Sequence, residues 1–381
     1  METTTYNIYT SVAQLPEGWD EVAIQNTFLQ SAYLKVLETS APKNMQCFFI
    51  GVFEKSELIG VVLAQYLNLT KLESYGERDK CIKTFIRNFV FKNFASQVLF
   101  IGNNMITGQN SFAFKHANNY QLISNTLSNC ALELDTFLKS KKIKIHLISH
   151  KDFYTETALE LKKIDFSNAY EFKTQPNMIF ELNKSWKKNE DYISAFSKKY
   201  RDQYKRAIKK FDGITYKELT LEEIVSYESE IYQLYFSVAK NAPFNTFFLN
   251  TNHFSTFKKQ CENKFILVGY FLDSELVGFH TLVLNNKTLE TYFLGYKEEI
   301  QKEKMLYLNM LYTMVKFGIE NEFSEIIFGR TALEIKSSIG ALPIEVSGFI
   351  QHKNKIINKY FHIIFPKLEP TLVWQRRHPF K

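Results

Sequence analysis

The sequence predicts an α/β protein built from two copies of one unit, and three observations support this fold class. The first is an internal match, because residues 51–60 read GVFEKSELIG and residues 269–278 read GYFLDSELVG, with six of ten positions identical. The second is that a strand, an amphipathic helix and another strand follow this match in each half. The third is that 381 residues, 45% of them apolar, provide enough chain and enough core for two domains of ~100–200 residues each.

Each copy of the match predicts a β-hairpin. The runs CFFIGVF and FILVGYF lead into the short polar turns EKSE and LDSE, and the runs LIGVVLAQY and LVGFHTLVL then return. Aromatic and β-branched residues on both sides of a charged turn are typical of a hairpin. We therefore expect residues 45–70 and 263–288 to be superposable antiparallel hairpins; a chance match between two unrelated hairpins is the alternative.

The elements after each hairpin repeat in the same order. In the first half the strand QVLFIG precedes a predicted helix at about 118–139 and the strand IKIHLI. In the second half LETYFLG precedes a predicted helix at about 302–322 and the strand SEIIFG. Both helices carry apolar residues at i, i+3, i+4 and i+7, which indicates packing on a sheet. Further helices at 221–240 and about 252–262 precede the second hairpin.

The boundary between the two copies is expected near Phe180–Trp186, where a strand ends and a polar segment begins. The predicted modules are therefore residues 1–182 and 183–381. A period of about 200 residues indicates a tandem duplication, because solenoid repeats are far shorter.

Several classes of function are excluded by what the sequence lacks. No apolar run approaches the ~20 residues of a membrane span, and METTTYNIYT has neither the basic nor the apolar part of a secretory signal. The four cysteines are widely spaced without a CxxC pair, which indicates reduced thiols in a cytoplasmic protein. The histidines lack metal-ligand spacing, so no metal is expected. Dinucleotide, phosphate-loop and GxSxG motifs are absent.

Three stretches together resemble a known family. Residues 197–211, SKKYRDQYKRAIKKF, resemble a basic helix near the start of the second module of FemAB-like proteins. The duplicated hairpin is the second stretch. The third is EIKSSIGA, residues 334–341, which resembles the FKxxFG segment of that family with Ile335 and Ile339 in place of both aromatics. The arrangement resembles tandem GNAT proteins of the FemAB-like branch. The resemblance implies two tandem GNAT-like modules, each a mixed, mainly antiparallel sheet flanked by helices.

The resemblance also implies an activity, namely transfer of an acyl group to an amine. Family members either move aminoacyl groups from charged tRNA to peptidoglycan precursors or use donors of the acyl-CoA type. No covalently bound cofactor is expected, and the co-substrate would be acyl-CoA or acyl carrier protein. One departure is that the glycine-rich (Q/R)xxGxG/A loop is missing, since no glycine follows Gly295 in GYKEEIQKEKMLYLNM. Lys302 and Lys304 are the candidate phosphate contacts in its place.

Lys336 in EIKSSIGA is the first candidate for catalysis. It follows a predicted strand, at the end of the sheet where α/β sites form. A fixed ammonium there suits stabilisation of a tetrahedral oxyanion or binding of a donor phosphate. The alternative is an ordinary surface lysine.

Arg330, Thr331 and Glu334 lie between the same strand and Lys336. The planar guanidinium of Arg330 suits phosphate or carboxylate, and Thr331 stands beside it as a donor-binding candidate. Glu334 would deprotonate an attacking ammonium if its pKa were raised. The alternative is a structural pair between Arg330 and Glu334 across i, i+4.

His280 and Tyr292 are further catalytic candidates, because both lie in predicted strands of the second sheet. Acyl transfer needs a base to accept a proton and an acid to protonate the leaving group, and both side chains suit these roles. Glu290 is weighed equally with them. The alternative for all three is a satisfied core or surface position.

Two basic amphipathic stretches suggest an anionic partner for a chain of net charge +7. Residues 197–211 carry seven cations against a single Asp202, and residues 80–94 interleave cations with phenylalanines. Candidate partners are CoA, tRNA, a nucleotide-linked precursor or an anionic membrane surface. The alternative is a solvated helix face. Localisation is expected to be cytoplasmic, with peripheral attachment at the inner face of the membrane.

The sequence favours an N-acyltransferase whose second module holds the active site. The donor is expected to be a thioester rather than charged tRNA, because the long helical arm of tRNA-dependent members finds no room here. The 35 phenylalanines favour an amphiphilic amine as acceptor, such as a long-chain amino base. A FemAB-type aminoacyltransferase and a non-catalytic binding protein for acyl or polyanionic ligands are the alternatives.

Overall fold

A computed structural model of the chain describes residues 4–71, 91–116, 119–241, 245–364 and 374–381. These residues form two mainly antiparallel sheets of eight and seven strands, each flanked by helices, which confirms the predicted fold class. Each sheet contains one parallel pair of neighbouring strands.

The first sheet has the strand order β1-β2-β3-β4-β6-β15-β7, and β5 also pairs with β3. Its strands are β1 (Thr4–Tyr9), β2 (Met45–Glu54), β3 (Glu57–Asn68), β4 (Gln97–Ile101), β5 (Phe112–Phe114), β6 (Leu147–Tyr154), β7 (Tyr170–Lys173) and β15 (Val346–His352). Its helices are α1 (Trp19–Val22), α2 (Ser31–Ser40), α3 (Tyr120–Ser140), α4 (Thr155–Ile164) and α13 (Lys355–Ile364). Short 3₁₀ turns lie at Val12–Gln14, Thr27–Leu29 and Leu69–Lys71.

The second sheet has the strand order β14-β8-β13-β12-β11-β10-β9. Its strands are β8 (Asn177–Glu181), β9 (Ile214–Glu218), β10 (Phe265–Leu272), β11 (Glu275–Asn285), β12 (Thr288–Tyr296), β13 (Glu325–Gly329) and β14 (Leu342–Ile344). Its helices are α5 (Asn189–Ala195), α6 (Lys198–Lys210), α7 (Leu221–Ser226), α8 (Glu228–Ala239), α9 (His253–Gln260), α10 (Glu298–Lys304), α11 (Leu306–Glu320) and α12 (Leu333–Ser338).

The two predicted hairpins are present and share their turn geometry. Strands β2 and β3 are joined by Lys55 and Ser56 at φ 47° and 70°, and β10 and β11 by Asp273 and Ser274 at φ 48° and 69°. Positive φ at both central residues is the type I′ arrangement, whose twist matches that of the flanking strands. The register shifts at the same place before each turn. The internal match therefore reflects a repeated hairpin.

Close packing explains why glycine and phenylalanine recur in the match. A Cβ on Gly51 would lie 2.8 Å from the Phe53 ring, and a Cβ on Gly269 would lie 3.1 Å from the Phe271 ring. Each aromatic ring thus covers the glycine two residues before it on the same face of its strand. A side chain at either glycine would displace this ring.

The predicted helices are confirmed, but two of them are each divided in the structure. The region expected to be one helix at 302–322 contains two, α10 and α11, separated by Met305 at φ 51°. The buried Asn309 amide stabilises this junction, since it donates to the Lys304, Met305 and Ala207 carbonyl oxygens at 3.2, 3.0 and 3.1 Å. The 221–240 region is likewise divided into α7 and α8 at Tyr227.

The chain forms two compact units that are not contiguous in sequence. The first comprises Met1–Thr174, Thr246–Asn250 and Glu345–Thr371, and the second comprises Gln175–Asn245, Thr251–Ile344 and Leu372–Lys381. The predicted division at 182/183 follows β8, whereas β8 pairs within the second sheet and β15 within the first. The physical reason is that strand pairing is a long-range contact, which a composition change along the chain does not report. No described helix is long and apolar enough to cross a bilayer.

Candidate functional site

Strands β12 and β13 of the second unit separate partway along their length. Their parallel pairing ends at Glu290 and Ile327, although β12 continues to Tyr296 and β13 to Gly329. We call this point of separation the fork. Beyond it, the edge of β12 that faced β13 is no longer in a ladder with that strand, so its backbone groups suit hydrogen bonding to an extended ligand.

Glu290 is the last residue of β12 before the fork, and its carboxyl group is buried. The residue is 2% exposed, and its Oε2 atom has no hydrogen-bond partner among the described residues. Burial raises the pKa of Glu290 to about 8, and the charge of Glu325 adds to this, while a hydrogen bond with the Asn285 side chain opposes it. A buried carboxyl that titrates near neutral pH suits a general base.

Lys336 on α12 reaches the other strand of the fork. Its Nζ donates to the Phe328 carbonyl oxygen at 2.5 Å and lies 3.5 Å from that of Gly329, the two residues that follow Ile327. Lys336 is 4% exposed, and burial lowers its pKa to about 7. The alternative of an ordinary surface lysine is therefore wrong. In its charged form the amine has three N–H donors, so one remains for a ligand.

The residues at its two ends fix the position of helix α12. Ala332 precedes it at φ 52°, and Gly340 follows it at φ 115°. A Cβ on Gly340 would lie 2.7 Å from the rings of both Phe180 and Phe380, so only glycine fits. The Tyr192 hydroxyl donates to the Ile339 carbonyl oxygen at 2.8 Å. These contacts explain the glycine of the SIGA segment and fix the position of Lys336.

Glu334 points to a different partner from the one expected. Its carboxylate accepts from the Gln375 backbone N–H at 3.0 Å and from Arg377 Nη2 at 2.9 Å. These two hydrogen bonds lower the pKa of Glu334, which is the opposite of what a base requires. Arg330 and Thr331 lie in the turn directly after β13, half-buried and exposed respectively.

His280 lies within the core of the second unit. It is fully buried, with Nδ1 3.0 Å from the Tyr270 hydroxyl, and burial lowers its pKa to about 3. It shares its face of β11 with Gly278, where a Cβ would lie 2.7 Å from Met310 of α11. The imidazole is therefore neutral and enclosed beneath α11.

Tyr292 lies on the opposite face of the sheet, which separates it from His280. Its hydroxyl is 3.1 Å from Nε2 of His253 on α9, and the two rings stack with centroids 5.8 Å apart. Phe279, the neighbour of His280 along β11, packs on Phe254 of α9 and so identifies this face. The sequence analysis missed His253, because one histidine at the start of a short helix carries no motif.

Lys302 and Lys304 on α10 make local contacts. Lys302 forms an exposed ion pair with Glu298 at 3.1 Å, one turn away on the same helix. Lys304 donates to the Asp212 carbonyl oxygen at 3.1 Å, in the turn between α6 and β9. Helix α10 thus forms in the stretch after Gly295, where the sequence lacks the glycine-rich (Q/R)xxGxG/A loop.

The predicted basic helix is α6, and it displays a cationic face. Six of its cations are exposed: Lys198, Lys199, Lys205, Arg206, Lys209 and Lys210. None of the six makes an ion pair with another described residue. The Gln203 amide donates to the Ser338 hydroxyl at 3.3 Å, which places α6 beside the helix that bears Lys336. Residues 80–90 of the other basic stretch lie outside the described residues.

No group of three or more potential metal ligands occurs in the described part of the chain.

Comparison with known proteins shows similarity in structure. No protein-family model and no curated protein matches the sequence. The structure of FemX matches with a TM-score of 0.54 and 12% identity, over 94% of this chain and 99% of that one. A conserved protein of unknown function from Bacteroides thetaiotaomicron matches with 0.51 and 9%, over 91% and 99%. A tandem GNAT protein from the clavulanic acid biosynthesis pathway matches with 0.50 and 10%, over 92% and 99%.

These likenesses agree with the resemblance found in the sequence. They cover more than nine-tenths of both chains, so they include both units rather than one repeated module. At about 10% identity they establish the fold. The chain therefore has the fold of tandem GNAT proteins, with FemX among the structures that share it.

Proposed function

We propose that the second unit is an N-acyltransferase that moves an acyl group from a thioester donor to an amine. The observation that carries this proposal is the fork, which has the buried carboxyl of Glu290 at its base on β12 and, beyond it, the buried amine of Lys336 at the Phe328 and Gly329 carbonyl groups of β13. The tandem GNAT fold supports the same class of reaction.

The separated strands favour acyl-CoA or acyl carrier protein as the donor. Both carry a pantetheine arm, an extended chain with two amide groups. Such a chain can hydrogen-bond with the edge of β12 beyond Glu290, where the pairing with β13 has ended, in the way that an added strand does. Arg330 and Thr331 follow the end of β13 and offer a guanidinium and a hydroxyl to a donor phosphate.

Glu290 replaces Glu334 as the proposed base. An amine attacks only when it has lost its proton. Glu290, whose pKa is about 8, is a stronger base than an ordinary carboxylate, and the fraction ionised and able to take that proton grows as pH rises toward 8. The amine nitrogen then forms a bond to the thioester carbon, and the remaining N–H of Lys336 donates to the oxyanion. Collapse of this intermediate breaks the carbon–sulfur bond. The leaving thiolate takes a proton from Tyr292, whose hydroxyl His253 positions, and the second proton of the amine nitrogen restores the Tyr292 hydroxyl, so that the products are the amide and the free thiol.

The acceptor is proposed to be an amphiphilic amine, such as a long-chain amino base. The cationic face of α6, beside α12, would hold the protein at an anionic membrane surface where such an amine is concentrated. This corresponds to a cytoplasmic protein attached peripherally to the inner face of the membrane.

The same cationic face supports a second candidate, an aminoacyltransferase that uses charged tRNA. Six exposed cations without ion-pair partners among the described residues would contact a phosphate backbone as well as a lipid surface. A binding protein without catalysis is the third candidate, and turnover separates it from the other two.

The experiment is to incubate the purified full chain with acyl-CoA of several chain lengths and a panel of amines, and to measure released CoA and amide product. Glu290→Gln should abolish most turnover, whereas Glu322→Gln, at an exposed position of the same unit, should leave it unchanged. Turnover with charged tRNA and none with thioesters would replace the proposal by its rival. Stoichiometric binding of donor without product would establish the binding protein.

A further inference from the structure

Helix α13 of the first unit is firmly anchored at its start. The Asn354 side chain accepts from the backbone N–H groups of Ile356 and Ile357 at 2.9 and 3.2 Å, which caps the helix. Asn358 accepts from the His352 backbone N–H at 2.8 Å and so joins α13 to β15. The orientation of the helix on the first sheet is therefore defined.

One face of α13 exposes large apolar side chains. Ile356, Tyr360 and Ile363 are 72%, 50% and 50% exposed. Their spacing of i, i+4 and i+7 places them in one stripe along the helix. A stripe of this kind on a surface helix indicates an interaction site, since single exposed apolar residues are common but contiguous ones are not.

A second face of the same helix is basic. Lys355, Lys359 and His362 have the same i, i+4, i+7 spacing, one position before the apolar stripe, so the two faces are about 100° apart. All three are exposed and line a cavity of about 840 Å³ in the first unit. Neither lysine makes an ion pair with another described residue.

Two further lysines line this cavity, and each is paired with an acid. Lys162 and Lys353 line it, paired with Glu171 and Asp135, each at 2.6 Å. Glu171 is the one acid among the described residues that line the cavity. Lys355 and Lys359 thus supply positive charge that these acids do not neutralise, and the cavity favours an anionic group.

We propose that α13 lies in the surface of an anionic phospholipid bilayer, with its apolar stripe in the acyl boundary and a headgroup phosphate in the cavity. Charge complementarity identifies the anion, and the adjoining apolar stripe identifies a lipid rather than a free phosphate or a nucleic acid. The inference concerns the first unit and depends on no step of the proposed transfer reaction.

Flotation of the full chain with vesicles tests this proposal. Binding is expected to vesicles of phosphatidylglycerol and phosphatidylcholine and not to phosphatidylcholine alone. Each lysine near such a surface contributes roughly a fivefold gain in partitioning, so the double variant Lys355→Glu/Lys359→Glu should weaken binding at least about 25-fold. Lys43→Glu/Lys142→Glu, at exposed lysines elsewhere in the first unit, is the matched control.

A tryptophan reporter distinguishes insertion of α13 from attachment through another surface. Ile356→Trp should show a blue-shifted emission relative to wild type when anionic vesicles are added, and Ile24→Trp, at an apolar position that is 56% exposed, should not. Ile356→Ser/Tyr360→Ser should also reduce binding, because each CH₂ that enters the acyl region raises partitioning about fourfold.

Four outcomes would overturn the proposal. They are equal binding to phosphatidylcholine vesicles, unchanged binding by Lys355→Glu/Lys359→Glu, no spectral shift at position 356, and a response of that reporter to inorganic phosphate but not to vesicles. If Lys205→Glu/Arg206→Glu loses vesicle binding and Lys355→Glu/Lys359→Glu keeps it, the membrane contact belongs to α6 and not to α13. A chain that binds vesicles but transfers no acyl group would contradict the proposed function and leave this inference standing.

Discussion

The two sheets share their hairpin but differ in the strand that follows it. In the second sheet β12 is continuous and pairs with β11 from Asn285 to Gly278. In the first sheet the corresponding edge of β3 is covered by two short strands, β4 and β5, with residues 102–111 inserted between them. The duplicated units therefore diverge at the position where the second one has its fork.

In the first sheet, the strand pair that corresponds to β12 and β13 does not separate. Strand β4 pairs with β6 as far as its last residue, Ile101. The Asn103 carbonyl oxygen then accepts from Lys151 Nζ at 2.8 Å, and Lys151 forms a buried ion pair with Asp152 at 2.5 Å. A loop and an ion pair thus occupy the end of the strand pair that the second sheet leaves separated.

The residue at the separation point differs as well. The repeat offset is 278 − 60 = 218, which makes Val283 equivalent to Gln65, since 283 − 65 = 218. Val283 pairs with Glu290, and Gln65 pairs with Phe100. An aromatic ring in the first sheet therefore stands where the second has its buried acid. The comparison teaches that the two copies differ at the position of the proposed reaction site, where the second has a buried acid and separated strands and the first has an aromatic ring and a loop.

The largest expected difference between the two sheets is the loss of kcat on substitution of Glu290. Glu290→Gln should lower kcat by about 10²–10⁴-fold, because it removes the proposed base without changing the size of the side chain. The wild-type rate should rise with pH as Glu290 ionises and fall as Lys336 loses its proton, with a maximum between about pH 7 and 8, and the rising limb should disappear in the variant. Steady-state kinetics from pH 5.5 to 9.5 measure both. Phe100→Leu is the matched change in the first sheet; an equal loss of kcat there would remove the asymmetry between the units.

Two buried lysines, Lys151 and Lys336, each donate to a backbone carbonyl group and should respond differently to substitution. Lys151→Met leaves Asp152 buried without its cation, so the free energy of unfolding should fall by about 3–5 kcal/mol while kcat per folded molecule is retained. Lys336→Met leaves no buried acid behind, so the stability change should be smaller. Its kcat and kcat/KM should instead fall together by roughly 10²–10³-fold, the effect of losing one oxyanion donor.

Urea unfolding and kinetics on both variants test this contrast. A rise of KM in Lys336→Met with unchanged kcat would make the lysine an anchor for the donor. A folded variant with wild-type values of both constants would exclude it from the reaction.

The sequence predicted the parts of the fold that local patterns encode. The hairpins follow from a turn and two β-rich runs, and the helix stripe of Leu308, Leu311, Tyr312, Val315 and Ile319 is buried as its spacing predicted. The sequence did not predict that β8 pairs within the second sheet and β15 within the first, because pairing partners far apart in sequence leave no local signal. The break at Met305 was missed for the same reason, since a buried Asn309 side chain stabilises it through tertiary contacts.

The candidate site was predicted less completely, because burial decides what each ionisable group does. Lys336 was identified from its segment, but the sequence does not show that it is 4% exposed or bound to the Phe328 carbonyl. Glu334 and Glu290 are indistinguishable as residue types. The structure lowers the pKa of the first through Gln375 and Arg377 and raises that of the second through burial.

Glu290 and Lys336 should make the free energy of unfolding depend on pH with opposite signs. The folded state retains a proton on Glu290 between about pH 4.5 and 8 that the unfolded state has lost, so stability falls as pH rises through this window. The folded state lacks a proton on Lys336 between about pH 7 and 10.5 that the unfolded state binds, so stability rises with pH there. Each slope is at most about 1.4 kcal/mol per pH unit.

Difference measurements isolate these slopes from all other titrating groups. The unfolding free energy of wild type minus that of Glu290→Gln should fall from pH 5 to 8, and that of wild type minus Lys336→Met should rise from pH 7 to 10. No comparable difference is expected for Phe100→Leu, because that position carries no ionisable group. Parallel curves for wild type and Glu290→Gln would show that this carboxyl ionises in the fold as it does in the unfolded chain.

The smallest expected effect is at the turns, where the two units are most alike. Ser56 and Ser274 lie at φ 70° and 69°, in a left-handed region that glycine enters more easily than serine does. Ser56→Gly and Ser274→Gly should each raise the free energy of unfolding by about 0.5 kcal/mol, since the greater freedom of glycine in the unfolded state offsets part of the gain. Thermal unfolding of the two variants measures this, with Ser229→Gly in α8, where glycine is destabilising, as the control of opposite sign. Equal gains would show that the repeated hairpin has kept one turn conformation in both units, whereas a loss at either serine would mean that its turn does not have the type I′ geometry on which the comparison rests.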